Sequence, residues 1–144
     1  MKEQNYSNHR RFVFMYHVVT ILLTLLMIVS SVYYAIDAAG KGASMKLWLF
    51  FLIISMLILF SLYFARSFSL KAQDRAIRAE ENLRHFILTG KPLDSRLTVR
   101  QIVGLRFASD EEFVELAKSA AEKGTSEDEI KKMIKNWKAD NYRI

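Results

Sequence analysis

Few side chains in this sequence have the types and spacing that support chemistry. Glu81 and His85 lie four residues apart, so on a helix they share one face, and the Glu80 and Arg84 pair repeats that spacing. A metal site needs more ligands than one such pair offers, and the chain has no cysteine to add another. We therefore expect ion pairs on a helix surface, with no bound metal and no cofactor.

The acidic run Asp110-Glu111-Glu112 also has a structural explanation. It follows Ser109 where a helix is expected to begin, and acids in a first turn stabilise the helix dipole. The sequence contains no phosphate-binding glycine loop, no HExxH and no Ser-His-Asp order known from hydrolases. These observations predict that the protein is not an enzyme.

His17 is an ionisable side chain inside a long uncharged stretch. Such a residue within a membrane is a candidate proton relay or ligand. It lies near the end of its stretch, however, and neither uncharged stretch supplies an acidic partner. We favour a structural role for His17 and for the hydroxyls of Thr20 and Thr24, which suit close helix packing. An intramembrane functional role for His17 is the alternative.

Two uncharged apolar stretches determine the overall organisation. Residues 12–36 and 47–65 contain no Asp, Glu, Lys or Arg. A helix needs about 20 apolar residues to cross the hydrocarbon core of a bilayer. A cleaved signal peptide is the competing interpretation of the first stretch, but its apolar region would be shorter. We predict two transmembrane helices, 12–36 and 47–65, joined by an external loop over 37–46 as an antiparallel hairpin.

The basic residues predict the orientation of this hairpin. Eight lie beside its two outer ends, in residues 1–11 and 66–84, and two lie in the link at Lys41 and Lys46. Because positive charge accumulates on the cytoplasmic side, we expect both termini in the cytoplasm. Residues 66–106 carry a net charge of +5, which favours contact with anionic lipid headgroups of the inner leaflet.

The rest of the chain predicts an all-α fold. No Gly or Pro interrupts residues 47–89, so the second helix should continue through 66–90, to the Gly90 and Pro92 stop. A small helical module, 91–144, should follow, with three short helices opened by capping boxes. The expected pairs are Thr98 with Gln101, Ser109 with Glu112, and Ser126 with Glu129. On the third helix we expect one apolar stripe of Ile130, Met133, Ile134 and Trp137.

Two further interpretations of this region concern partners. Ala76, Leu83 and Phe86 give the second helix a seam that suits self-association, or that the three short helices of the same chain could cover. Both readings are open. The last two helices resemble a helix-turn-helix in spacing, but residues 107–144 are acidic overall and offer no Arg- or Asn-rich reading face. We therefore expect no nucleic acid.

Three strings carry a resemblance to a known family: KEQNYSNHRRF at the start, RAEENLRHFILTGKPLDSRLTVRQIVGLRFASDEEF in the middle, and IKKMIKNWKADNYR near the end. With them the chain resembles an uncharacterised bacterial membrane-protein family, classed as a domain of unknown function, with two predicted spans and a helical tail. The resemblance implies a multi-pass protein of the bacterial inner (cytoplasmic) membrane. It implies no activity.

We therefore hypothesise a non-enzymatic adaptor or scaffold, anchored in the inner membrane, whose helical module engages a protein partner or a second copy of itself. The residues proposed for partner binding are Arg100, Arg106, Phe107, Asp110 and Trp137. Arg106 serves equally well as a structural clamp at a tight helix junction. The alternative hypothesis is a small accessory subunit of a transporter or channel assembly, with polar faces meeting around His17.

Overall fold

The structure, a computed structural model, describes residues 4–9 and 12–140. A π-helical turn, Met15–Thr20, leads into α1 (Ile21–Gly40), and α2 (Lys46–Thr89), α3 (Val99–Leu105), α4 (Asp110–Lys123) and α5 (Glu127–Met133) follow. The described residues form no strand beyond one isolated bridge between Ala108 and Trp137, so the predicted all-α class is confirmed. Lys2, Arg10 and Arg11, on which the orientation partly rests, lie outside the described residues.

The chain divides into two compact units, residues 12–68 and residues 1–11 with 69–144. Two helices, Met15–Gly40 and Lys46–Thr89, are long and apolar enough to cross a membrane, and the second of them continues past the end of the first unit. The first helix continues beyond Ile36, because the alanines that follow favour helix and Asp37 pairs with Lys41 one turn later, at 2.8 Å. The link is therefore residues 41–45, about half the predicted length.

Small side chains are buried along the two apolar helices. Thr24, Ser31, Ala35 and Ala38 are the buried residues of α1, and Ser55 of α2 is fully buried. The hydroxyls of Thr24, Ser31 and Ser55 donate to the carbonyl one turn earlier, at 2.7–2.8 Å. The helices also meet through Tyr16 Oη, which donates to Leu62 O, and through stacked Tyr34 and Trp48. Small residues thus support close packing here.

The second unit begins on α2, which is one helix from Lys46 to Thr89. It ends where the sequence predicts, because Gly90 adopts a left-handed φ of 73°. The predicted capping boxes at Thr98 with Gln101 and at Ser126 with Glu129 are both present. The core of this unit contains Ile77 of α2 and residues of all three short helices, with Leu105, Phe107 and Phe113 fully buried.

Two local predictions, both at residues near Glu112 in the fold, are wrong. The Ser109 side chain makes no capping hydrogen bond, and α5 ends at Met133 instead of continuing to Trp137. The carboxylate of Glu112, predicted to complete the Ser109 box, instead accepts hydrogen bonds from the N–H groups of Lys135 and Asn136. Those N–H groups consequently have a partner outside any helix, and the chain leaves the helix at Ile134, whose backbone is extended, and bends at residues 135–136.

Candidate functional site

The non-helical segment after α5 pairs with the junction between α3 and α4. Ser109 N–H donates to Asn136 O at 3.1 Å, and Lys138 N–H donates to Phe107 O at 2.8 Å. This pairing sets Trp137 against Phe107, with ring centroids 5.0 Å apart. The apolar stripe predicted for the third helix is thus divided. Ile130 and Ile134 are buried, Met133 is 44% exposed, and Trp137 lies beyond the end of the helix.

A short N-terminal segment, residues 4–9, completes this cluster. The buried His9 ring lies 5.7 Å from the Phe107 ring and 5.8 Å from the Trp137 ring. We call His9, Phe107 and Trp137 the aromatic cluster. Tyr6 Oη donates to Asp128 Oδ1 at 2.7 Å, and Asp140 N–H donates to Gln4 Oε1 at 2.8 Å. Sequence reasoning missed this contact; a tyrosine and a histidine in an otherwise polar N-terminal segment were its only signal.

Arg84 links α2 to the start of α4. Its Nε donates to Asp110 Oδ1 and one terminal nitrogen donates to Ala108 O, each at 2.7 Å. The other terminal nitrogen donates to Glu81 Oε2 at 3.0 Å, and the guanidinium lies over the Phe113 ring. The side chains of Arg84 and Glu81 are only 11% and 10% exposed. The pair is therefore Arg84 with Glu81, three residues apart, and not Arg84 with Glu80 as the spacing suggested.

His85 is also explained by local structure. Its Nδ1 lies 2.8 Å from Lys91 O, and its ring meets the edge of Phe113. Among the described residues there is no group of three or more His, Asp or Glu side chains arranged to hold a metal ion.

Gln101 and Gly104 position α3. The Gln101 side-chain amide donates to Thr125 O at 2.8 Å and to Ala120 O at 3.2 Å, which ties α3 to the turn after α4. Gly104 faces α5 so closely that an added Cβ would lie 3.1 Å from Glu127 O. The glycine thus allows α3 and α5 to pack in contact.

The five residues proposed for partner binding fall into different environments. The Arg100 side chain is 76% exposed, and one of its terminal nitrogens lies 3.8 Å from a carboxylate oxygen of Glu127. The Asp110 side chain is 60% exposed and forms an ion pair with Arg84. Phe107 is fully buried, and Trp137 is half-buried against it. The Arg106 side chain is 9% exposed and lies over the Phe107 ring, with its Nε 3.4 Å from Asp140 Oδ2 but without a hydrogen-bond partner among the described residues. The role of these residues in partner binding stays a prediction.

Several side chains of this unit have shifted pKa values. Burial lowers the pKa of Arg106, and Asp140 is the first of the nearby acids that oppose this shift. The exposed Arg96 side chain donates to Asp94 and lowers the pKa of Asp94 to about 2. Hydrogen bonds from Lys132 and Tyr6 lower the pKa of Asp128. All of these shifts arise from contacts within the unit.

His17 belongs to the unit of residues 12–68. It lies in the π-helical turn, its Nδ1 is 2.9 Å from Val13 O, and its ring stacks on Phe12 at 5.0 Å. The Thr20 hydroxyl donates to Met15 O, five residues earlier, as the wider π-helical turn allows. His17 is half-buried among aromatic neighbours.

Fold and site together define a class: an all-helical chain with two helices long and apolar enough to cross a membrane and a small helical unit with its own core. The chain belongs to a family of unknown function, DUF6526, whose model matches residues 1–144. Neither the curated proteins nor the solved structures contain a match.

Proposed function

We propose that this protein is a non-enzymatic, membrane-anchored adaptor that presents its helical module to another protein. The observation that carries the proposal is α2, one continuous helix that contributes both the apolar 47–65 stretch and the core residue Ile77 of the module. The helix thereby ties a small folded unit to a segment able to cross a bilayer.

The contact between residues 4–9 and the module supports a location of both termini on one side of the membrane. A chain that crosses twice returns to its starting side, and here Tyr6 and His9 pack on residues of the C-terminal segment. The excess of basic residues beside the outer helix ends then favours the cytoplasm, and a bacterial inner membrane with anionic lipids fits the basic 66–106 segment.

The absence of cysteine makes this topology directly testable. Ser44, in the short link, and Ser95, in the loop before α3, are both exposed and each can be replaced by cysteine. In intact cells a membrane-impermeant thiol reagent should label Ser44→Cys and should reach Ser95→Cys only after permeabilisation. Equal labelling of the two variants in intact cells would refute the membrane-anchored arrangement.

Adaptor function is tested with a photoreactive side chain introduced in place of Arg100. This position is exposed on α3, and Lys118, exposed on α4, is the matched control. We expect illumination in cells to give a discrete adduct with one other protein at Arg100 and none at Lys118. Identical patterns at the two positions would remove the support for a partner surface on α3.

A second candidate function is an accessory subunit of a transporter or channel assembly. The observation that favours it is the π-helical turn at His17, since such turns occur often at functional sites. Replacing His17 by Phe preserves an aromatic ring beside Phe12 and removes the imidazole. Under this alternative the variant changes ion sensitivity or transport in cells, whereas the adaptor function predicts no change.

A further inference from the structure

One face of α2 in the module has no cover from the described residues of the chain. Leu83, Phe86 and Ile87 are 60%, 53% and 73% exposed, although they are large and apolar. The opposite face is buried, with Ile77 at 6% and Glu81 at 7% exposure. The three short helices therefore pack on the other face and do not cover Leu83 or Phe86.

The uncovered residues repeat with the spacing of a coiled-coil seam. Alternating steps of four and three residues connect Ala72, Ala76, Ala79, Leu83 and Phe86, all of them exposed. A repeat of this kind places one residue after another along a straight contact line with a second helix. The three alanines allow two backbones to approach closely, and Leu83 and Phe86 supply apolar area. We call these five residues the α2 seam.

Charges beside the α2 seam determine which helix fits it. Arg75 and Glu80 flank the seam on its two sides and are both exposed; Arg84 pairs with Glu81 and leaves Glu80 to solvent. In a parallel pair of this helix, Arg75 of one copy faces Glu80 of the other, and the contact occurs twice. In an antiparallel pair the same positions would bring like charges together. The seam is thus complementary to itself in the parallel arrangement only.

We propose that the α2 seam binds the α2 seam of a second copy, forming a parallel two-fold homodimer. The inference rests on the proposed membrane anchoring in one respect, because two copies inserted in the same membrane present α2 in the same direction. A two-fold contact uses one surface twice, so a single self-complementary face is sufficient. The adaptor would then present two modules side by side, and Ile87 would flank the apolar contact.

Cysteine crosslinking in membranes tests the register of this dimer. Ala79→Cys places a thiol in the seam, and Arg78→Cys, one residue away and also exposed, is the matched control outside it. Mild oxidation of membranes containing the full chain should convert Ala79→Cys into a disulfide-linked dimer and leave Arg78→Cys monomeric. Equal crosslinking at the two positions, or none at either, would overturn the proposal. A seam that is protected from thiol reagents without a dimer would do the same and would indicate lipid as the occupant.

Reversing the charges at Glu80 and Arg75 tests the parallel pairing, because a double variant that restores dimerisation excludes a simple loss of folding stability. Glu80→Arg turns both attractive pairs into repulsive ones, and on the scale of exposed ion pairs this weakens the dimer by about tenfold. Adding Arg75→Glu restores the pairs with reversed sign and should restore dimerisation. Failure of the double variant to recover, with Glu80→Arg alone impaired, would refute the predicted pairing.

The two proposals fail in distinguishable ways. If Ser44→Cys and Ser95→Cys label as a membrane hairpin while Ala79→Cys stays monomeric, the dimer alone is refuted. If the labelling itself contradicts a hairpin, the membrane anchoring is refuted as well. A crosslink from Ala79→Cys to a different protein, and not to a second copy, would overturn the assignment of the occupant.

Discussion

At the scale of single residues, the module is organised by polar side chains that reach inward. Arg84 contacts Glu81, Asp110 and a backbone carbonyl while its guanidinium covers an aromatic ring. The sequence spacing predicts that Arg84 lies on the helix surface. Spacing shows which residues are neighbours along one helix, but it does not show which side of that helix faces a tertiary partner. Four contacts converge on this single side chain, so its loss should destabilise the module.

We expect Arg84→Met to destabilise the module strongly. The substitution leaves the Glu81 carboxylate buried without its cation, and loss of one partner from a buried ion pair costs about 3 kcal/mol. Arg78→Met is the control, because Arg78 is exposed on the same helix. Thermal unfolding in detergent, followed by near-ultraviolet circular dichroism, measures the difference. Equal midpoints for the two variants would contradict the assigned role.

At the scale of elements, the three short helices begin in different ways. Thr98 and Ser126 accept hydrogen bonds from the N–H groups three residues on, whereas Ser109 makes no such bond although its sequence context is the same. The return bond of the box is also absent, because the Glu112 carboxylate accepts from the N–H groups of Lys135 and Asn136 and Ser109 N–H donates to Asn136 O. A capping box forms completely only when its residues are not engaged in competing tertiary hydrogen bonds.

Substitution of the capping residues should reflect this difference. Thr98→Ala removes a formed cap and should lower the free energy of unfolding by about 1 kcal/mol. Ser109→Ala removes no capping bond and should have a smaller effect. Urea titration of the two variants, each compared with the wild type, gives the values. A cost at Ser109 equal to that at Thr98 would show that the missing cap is formed in solution.

At the scale of the whole molecule, the two ends of the chain fold together. Residues 4–9 belong to the same compact unit as residues 69–140, through the aromatic cluster and the bond from Tyr6 to Asp128. The N-terminal segment therefore acts as part of the module, although the apolar helices separate the two in sequence.

His9→Ala should weaken the contact between residues 4–9 and the rest of the module. Loss of the ring contacts of the buried His9 with Phe107 and Trp137, together with that to Tyr6, should reduce the stability of the module by about 1–3 kcal/mol and expose Trp137 to water. In a Trp48→Phe background Trp137 is the sole tryptophan, so a red shift of its emission reports the change. Tyr6→Phe keeps the ring and removes one hydrogen bond, so it should shift the emission less. An unchanged spectrum for His9→Ala would argue against the packed N-terminal segment.

The module should also lose stability in acid. A carboxyl group whose pKa is lower in the folded than in the unfolded chain stabilises the fold above its unfolded pKa, and this contribution is lost as the pH falls toward the folded pKa. Asp94, with its pKa lowered to about 2 by Arg96, places the loss between about pH 4 and pH 2. Asp128, whose pKa is lowered by Lys132 and Tyr6, adds in the same direction.

Thermal midpoints measured at about pH 5 and about pH 3 check this prediction, with the lower midpoint expected in acid. Because the groups are exposed, added salt should reduce the difference. Asp94→Asn should flatten part of the dependence. A midpoint that rises in acid would contradict the assigned hydrogen bonds.

The sequence by itself determined the all-α class, the two long apolar helices, the stop at Gly90 and two of the three capping boxes. These features depend on composition and on residues within about four positions of one another, which a sequence displays directly. Only the tertiary structure decided that Trp137 leaves the helix, that His9 completes the core, that Arg84 faces inward and that the α2 seam stays uncovered. Each of these features depends on contacts between residues that are distant in the sequence. The spacing of residues in a sequence shows which of them share a helix face. Only the packing of the folded chain decides which face is buried.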